Sequence, residues 1–208
     1  MFYSFDGIDG SGKSTQIELF RGWLVEHGRR VVACRDPGST PLGEAVRSLL
    51  LDRHELAISR PAEAFLYMTA RAQLVEQCIR PALERGDTVV CDRFLLANVV
   101  YQGHAGGLDV DEMWRIGQLA TGGLDPDLTF VLDLPPEVAA KRMNRQLDRM
   151  ESQGEEFRRK LREGFRHEAA HRPDKILLID ADRPIDAIQA EIRRSAEQVD
   201  SASFHPAK

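Results

Sequence analysis

Short, almost continuously apolar runs recur along the chain at 2–6, 30–34, 88–91, 128–132 and 175–179, and the segments between them return to apolar residues with helical periodicity. A strand that is apolar on both faces has to be covered on both, so the alternation predicts an α/β fold in which a five-stranded parallel sheet is flanked by helices. The helical pattern covers 13–26, 42–51, 61–84, 110–121, 136–148, 155–171 and 185–198. Two of these helices stop at His27-Gly28 and Arg85-Gly86, where glycine can supply a left-handed cap. Segment 95–108 has glycines at 103, 106 and 107 and no clear period, and is expected to be a loop bordering the functional site. Most apolar runs end in a charged residue, Asp6, Arg35, Asp92, Asp133 and Asp180, and open parallel sheets bind ligands at the carboxyl ends of their strands. No repeat, low-complexity tract or linker interrupts the pattern, so the chain reads as one domain over 1–208 with a tail at 200–208 expected to be disordered.

Between the first run and the first helix, residues 7–14 read GIDGSGKS, the complete pattern GxxxxGK[ST]. Its glycines let the backbone turn tightly, so that N–H groups converge on a phosphate at the positive end of a helix. Lys13 can then reach the β- and γ-phosphates while Ser14 ligates Mg²⁺. The pattern predicts nucleotide binding, with Gly7, Ile8, Asp9, Gly10, Ser11, Gly12, Lys13, Ser14 and Thr15 as the candidate phosphate cradle.

Composition narrows the field of partners. The 208 residues, 42% hydrophobic and 29% charged, are ordinary for a soluble globular chain able to bury a core without disulfides or metals. No apolar run is long enough to cross a bilayer, and a first strand starting at Phe2 leaves no room for a signal peptide, so the cytoplasm is the expected compartment. A net charge of −5 argues against a general nucleic-acid binder. A small anionic ligand needs only a few placed cations, and these are clustered: Lys141, Arg142, Arg145 and Arg149, then Arg158, Arg159, Lys160, Arg162 and Arg166. The second cluster reads as a solvated helix face. Cys34, Cys78 and Cys91 have neither metal nor redox spacing and are expected to be reduced, the first and last packed in strands.

A phosphate loop alone does not separate kinases from GTPases or ATP-driven machines, although no NKxD guanine reader is present. The remaining motifs resemble the thymidylate kinase family over nearly the whole chain. FDGIDGSGKST is similar to that family's FEGIDGSGKST, and RDPGSTPLGEAVRSLLL at 35–51 to its REPGGTPLGExIRxLLL. EAFLYMTARAQLVEQCIRPALERGDTVVCDRF at 63–94 resembles the family's long helix and its DR[YFH] strand end. YQG at 101–103, PDLTFVLDLPPEVAAKR from Pro126 and LDRMES from Leu147 resemble the family's AYQG, fourth strand and lid.

The resemblance implies a P-loop NTPase fold with a short lid at about 141–154, transfer of phosphate from Mg-ATP to dTMP, and a homodimer. It implies that Lys13 and the loop backbone hold ATP with Arg142, and that Ser14 and Asp92 organise Mg²⁺. Arg93 and Arg47 would hold the acceptor phosphate, and Asp9 the sugar 3′-hydroxyl. Tyr67 would stack on the base while Arg71, four residues on and on the same helix face, bonds a base carbonyl. Pro37, Asn98 and Gln102 would border the acceptor, with Tyr101 crowding a 2′-hydroxyl. Because position 10 is glycine, the loop carries no arginine of its own, and the resemblance adds lid residues Arg145 and Arg149 to Lys13 and Arg93 as the catalytic cations. A dimer face is expected along 61–84, where Ala70, Leu74, Cys78 and Ile79 form an apolar stripe that core packing explains equally well. Departures from the family pattern are Asp36 for glutamate, Ser39 for glycine, Ala97 for serine and Val100 for alanine. The last two leave dUMP or a deoxynucleoside open as acceptor, and a nucleotide-driven switch is the alternative of a different class.

Overall fold

The computed structural model describes residues 1–52, 55–142 and 154–203. Five strands, β1 (Phe2–Asp6), β2 (Val31–Arg35), β3 (Thr88–Asp92), β4 (Leu128–Asp133) and β5 (Ile176–Asp180), form one sheet in the order β2-β3-β1-β4-β5. Every pairing is parallel, with Phe5 opposite Asp92 on one side and Phe130 on the other. The strands lie within about one residue of the apolar runs, because a buried parallel strand needs apolar side chains on both faces. Successive residues feed opposite layers: Tyr3, Phe5 and Val90 enter one cluster with Phe20 and Phe130, while Phe2, Val89 and Cys91 enter another with Phe94 and Met113.

The helices α1 (Lys13–Glu26), α2 (Pro41–Leu51), α3 (Arg60–Leu74), α4 (Arg80–Glu84), α5 (Leu95–Asn98), α6 (Val110–Thr121), α7 (Pro136–Arg142), α8 (Glu155–His171) and α9 (Ile185–Ser203) connect and cover the strands. The expected helix 61–84 is one continuous run broken in register: a π-helical turn, Val75–Ile79, joins α3 to α4, with the Arg80 N–H bonded to the Val75 carbonyl. It falls just before Pro81, which has no N–H to continue the α-helical ladder.

Three expectations are corrected. Of the loop expected at 95–108, Leu95–Asn98 is α-helical and Val99–His104 is a π-helical turn. Residues 95–103 are all buried, the polar Asn98 and Gln102 included, so the segment has no wet face and leaves no amphipathic period to read. Of the tail expected to be disordered, residues 200–203 belong to α9, where Asp200 pairs with Arg29 and accepts the Tyr3 hydroxyl at 2.8 Å; 204–208 lie outside the described residues. The stripe expected as a dimer face is interior: Ala70, Leu74 and Ile79 are fully buried in the chain's own clusters. The outer part of the expected helix 136–148 lies outside the described residues, which include α7 only as Pro136–Arg142.

Candidate functional site

The carboxyl ends of β1, β2 and β3 open into a cleft of about 1000 Å³. Its floor is the turn between β1 and α1. Gly7 has φ 130° and a Cβ there would meet the Leu132 carbonyl at 2.6 Å, so the close passage of this turn over β4 requires glycine. Gly12, at φ 95°, caps α1 and leaves the first N–H groups of the helix facing the cleft. Lys13 donates to the Gly7 and Ile8 carbonyls, both at 3.1 Å, and lies 3.6 Å from Asp9. Burial, and then the neighbouring Arg93, push the Lys13 amine below its ordinary range.

Above the floor a cation and a carboxylate meet. Arg93 follows β3 at φ 67°, an uncommon conformation for a side-chain-bearing residue and one that concentrates at functional sites. Its guanidinium donates to the Gly7 carbonyl at 3.0 Å, to Asp9 Oδ1 at 2.6 Å and to the Tyr101 hydroxyl at 3.1 Å, and lies over the Tyr101 ring at 5.0 Å. Tyr101 in turn donates to Asp9 Oδ2 at 3.2 Å. Burial alone would raise the Asp9 carboxyl, but Arg93 and Lys13 more than offset it and hold the group well below the usual carboxylate range. Burial raises the Tyr101 phenol, which therefore stays protonated as a donor.

The far wall comes from α2 and α3. Thr40 caps α2 by accepting the Gly43 N–H at 2.9 Å, with Pro41 in the first turn, and this start places Arg47 where it donates to the Pro37 carbonyl at 3.0 Å. On α3, Tyr67 and Arg71 share one face and both line the cleft. Arg71 is 1% exposed and held on three sides: Nε to Asp36 at 2.5 Å, Nη1 to the Met68 sulfur and Nη2 to the Phe94 carbonyl, both at 3.2 Å. Burial raises the Asp36 carboxyl while Arg71 draws it down. Asn98 donates to Gln102 at 2.6 Å, and Gln102 to the buried Glu63 at 2.9 Å, which orients both amides.

The structure thus gathers the predicted residues. Asp9, Gly10, Ser11, Gly12, Lys13, Ser14, Thr15, Pro37, Arg47, Tyr67, Arg71, Asp92, Arg93, Asn98, Tyr101, Gln102 and Arg142 all line the cleft. Gly7 and Ile8 lie beneath it, contributing the carbonyls that hold Lys13. Arg145 and Arg149 fall outside the described residues. Arg142 donates to the Ala181 carbonyl and to Asp182, which ties α7 to the turn after β5. Of the cluster read as a solvated face, Arg162 clamps Asp133 through two bonds at 2.6 and 2.9 Å and Arg166 adds a third at 2.9 Å.

Other contributors stand outside the sequence reading. Arg183, Pro184, Ile185 and Ile188 line the phosphate-loop end of the cleft, and their signal was the position after β5 at the carboxyl edge of the sheet. Glu63 is fully buried at a helix position that composition would place in solvent. Asp6, read from the sequence only as a charged strand end bordering the site, is also fully buried, and neither carboxylate oxygen has a hydrogen-bond partner among the described residues. Arg93 lies 3.9 Å away, and burial pushes the Asp6 carboxyl up to about 7 against the pull of Arg93 and Lys13.

Asp92 Oδ1 is likewise buried without a partner among the described residues, while Ser14 is exposed at the start of α1. An unpartnered carboxylate oxygen and a hydroxyl are the hard oxygen donors that suit Mg²⁺.

Comparison with known proteins follows the same outline. The family model described as thymidylate kinase matches residues 5–192. The chain is 46% identical over 200 residues to a thymidylate kinase of Symbiobacterium thermophilum, covering 96% of this chain and 94% of that one. It is 44% identical over 189 residues to a thymidylate kinase of Rhodopirellula baltica, covering 91% and 77% respectively. Among solved structures, a crystal structure of thymidylate kinase from Ehrlichia chaffeensis superposes with a TM-score of 0.77 at 29% identity, over 94% of this chain and 98% of that chain.

Proposed function

The chain belongs to the thymidylate kinase family and is an enzyme that phosphorylates dTMP, and from that premise we propose how its cleft performs the transfer. The donor is ATP, seated on the backbone of the turn at 7–14 with Lys13 against its terminal phosphates and Arg142 beside the base. Mg²⁺ would be held by Ser14 and Asp92 and would supply charge neutralisation on the phosphates. Phosphoryl transfer asks the protein for positioning and for stabilisation of charge, not for covalent chemistry. Arg93 and Arg47 bind the acceptor phosphate, the first rigidly placed by its contacts to the Gly7 carbonyl and Asp9. Asp9 accepts from the 3′-hydroxyl, and Tyr101, which donates to Asp9, crowds a 2′-hydroxyl. Tyr67 stacks on the base; Arg71, Asn98 and Gln102 read its edge, and Pro37 closes the pocket. The lid at about 141–154 then brings Arg145 and Arg149 to the transferring group and excludes water.

One observation carries this reading. Arg93 and Asp9 form a charge-assisted pair at 2.6 Å directly beside Lys13, so the phosphate-binding floor and the acceptor-binding wall share a junction at which two phosphates can meet. The test is turnover with Mg²⁺ and ATP across dTMP, dUMP, other deoxynucleoside monophosphates and thymidine. dTMP should be used at the highest kcat/KM; faster use of any acceptor without a thymine base would overturn the reading of the base pocket, where Ala97 stands in place of a serine. We further propose a cytoplasmic homodimer. No helix among the described residues is long and apolar enough to cross a membrane, and Phe65 on α3 and Leu119 on α6 are 57% and 83% exposed on packed helices. Light scattering on the eluted protein should give twice the chain mass, and a monomer at micromolar concentration would remove the dimer.

A further inference from the structure

At the end of the turn that carries Tyr101, three groups converge that do not line the cleft. His104, at the end of the π-helical turn Val99–His104, and His167 and Glu168 on α8 each bring one ligand atom to within 4.8 Å of the others. Their closeness depends on Gly164 of α8, where a Cβ would lie 2.8 Å from His104 Cβ. Glu168 is 4% exposed and doubly oriented: Oε1 lies 2.7 Å from His104 Nε2, and Oε2 accepts the Trp114 indole N–H at 3.1 Å. Arg172 covers the Trp114 ring at 3.6 Å and fixes the donor. The His167 ring stands 5.0 Å from that of His104 and makes no hydrogen bond among the described residues, and His171, one helical turn on, stacks against it at 4.0 Å.

An ion pair between His104 and Glu168 accounts for two of these groups but gives no role to His167. Two imidazoles and a carboxylate together are the donor set of a borderline divalent ion, most often zinc, and a carboxylate held by an outer N–H is how such ligands are oriented. We propose that His104, His167 and Glu168 form a Zn²⁺-binding site, with water in the fourth position. None of the three lines the cleft, so the ion acts structurally: it fastens the turn bearing Tyr101 and Gln102 to α8.

The experiment uses the untagged full chain, freed of metal with a chelator and then titrated with Co²⁺, Zn²⁺ or Mg²⁺. One Co²⁺ per chain should bind with the visible absorption of a tetrahedral centre, Zn²⁺ should displace it and raise Tm, and Mg²⁺ should do neither. His167→Ala should weaken Co²⁺ binding at least tenfold and remove the band, while turnover with Mg²⁺ and no added zinc stays at the parent rate. His104→Gln should lose the band as well, with circular dichroism confirming that both variants are folded. Absence of saturable binding by the parent, or equal binding by the parent and both variants, would overturn the site and leave an ion pair only.

Discussion

Asp9 accepts from Arg93 and Tyr101 and faces Lys13, so one carboxylate sets the spacing between the phosphate-loop lysine and the arginine proposed to hold the acceptor. Replacing it with asparagine keeps the shape and removes the charge. Hydrogen bonds to charged groups contribute about 1.5–3 kcal/mol, so Asp9→Asn should lower kcat/KM for dTMP by roughly 10- to 100-fold in steady-state assays. A variant within twofold of the parent would take Asp9 out of the site. Asp6, three residues earlier, has the opposite electrostatics. Its folded pKa of about 7 lies above its ordinary value, so the folded state holds a proton that the unfolded chain releases first. Stability from this group is therefore full at low pH and lost as pH rises from about 4 to 7, by at most about 4 kcal/mol and less where water or relaxation screens the charge. Thermal melts of the nucleotide-free protein across that window should slope downward from this contribution, and Asp6→Asn should flatten the slope. An unchanged profile in the variant would show that Asp6 does not titrate there.

Helix α6 positions the substrate wall without touching the cleft. A Cβ at Gly117 would lie 2.0 Å from the Cδ1 of Leu95, the first residue of α5 and 1% exposed. Alanine gains about 1 kcal/mol of helix propensity over glycine, while overpacking a close-packed core costs about 1–3 kcal/mol, so the clash should win. Gly117→Ala should lower the urea midpoint and, by displacing α5 with Asn98 and the following turn, raise KM for dTMP more than it lowers kcat. A more stable variant with unchanged KM would show that Leu95 moves aside freely. The same pair shows what could be read from the sequence. Helices α1, α6 and α8 follow from periodicity because each has a wet face, and the strands from apolar runs because each has none. The segment Leu95–His104 defeats both patterns, being helical yet almost wholly buried. In the site, Gly7, Lys13 and Arg93 belong to motifs with a local mechanical reason, whereas Glu63 is polar, buried and oriented by Gln102 across 39 positions of sequence.

The assembled cleft has cations at its walls and floor but no arginine within the phosphate loop, since position 10 is glycine at φ 82°. In the proposed reading Lys13 serves one end of the transferring group, while Arg93, bonded to Gly7 and Asp9, and Arg47, bonded to Pro37, serve the acceptor. On the proposed mechanism, charge on the equatorial oxygens, which grows only as the bond to the donor breaks, is met by cations that arrive with closure. Arg142, the last described residue of α7, donates to the Ala181 carbonyl and to Asp182. A cation acting only in the transition state should lower kcat and kcat/KM together and leave ground-state binding intact. Arg149→Ala should therefore cut kcat by roughly 100-fold or more, as loss of a charge-stabilising donor does elsewhere, with little change in ATP affinity measured by equilibrium titration. Arg145→Ala should follow in the same direction with a smaller loss. If Arg149→Ala kept kcat within threefold, the charge would have to come from residues already in the walls, and Arg183, which lines the cleft and pairs with Glu191, would be the next cation to replace.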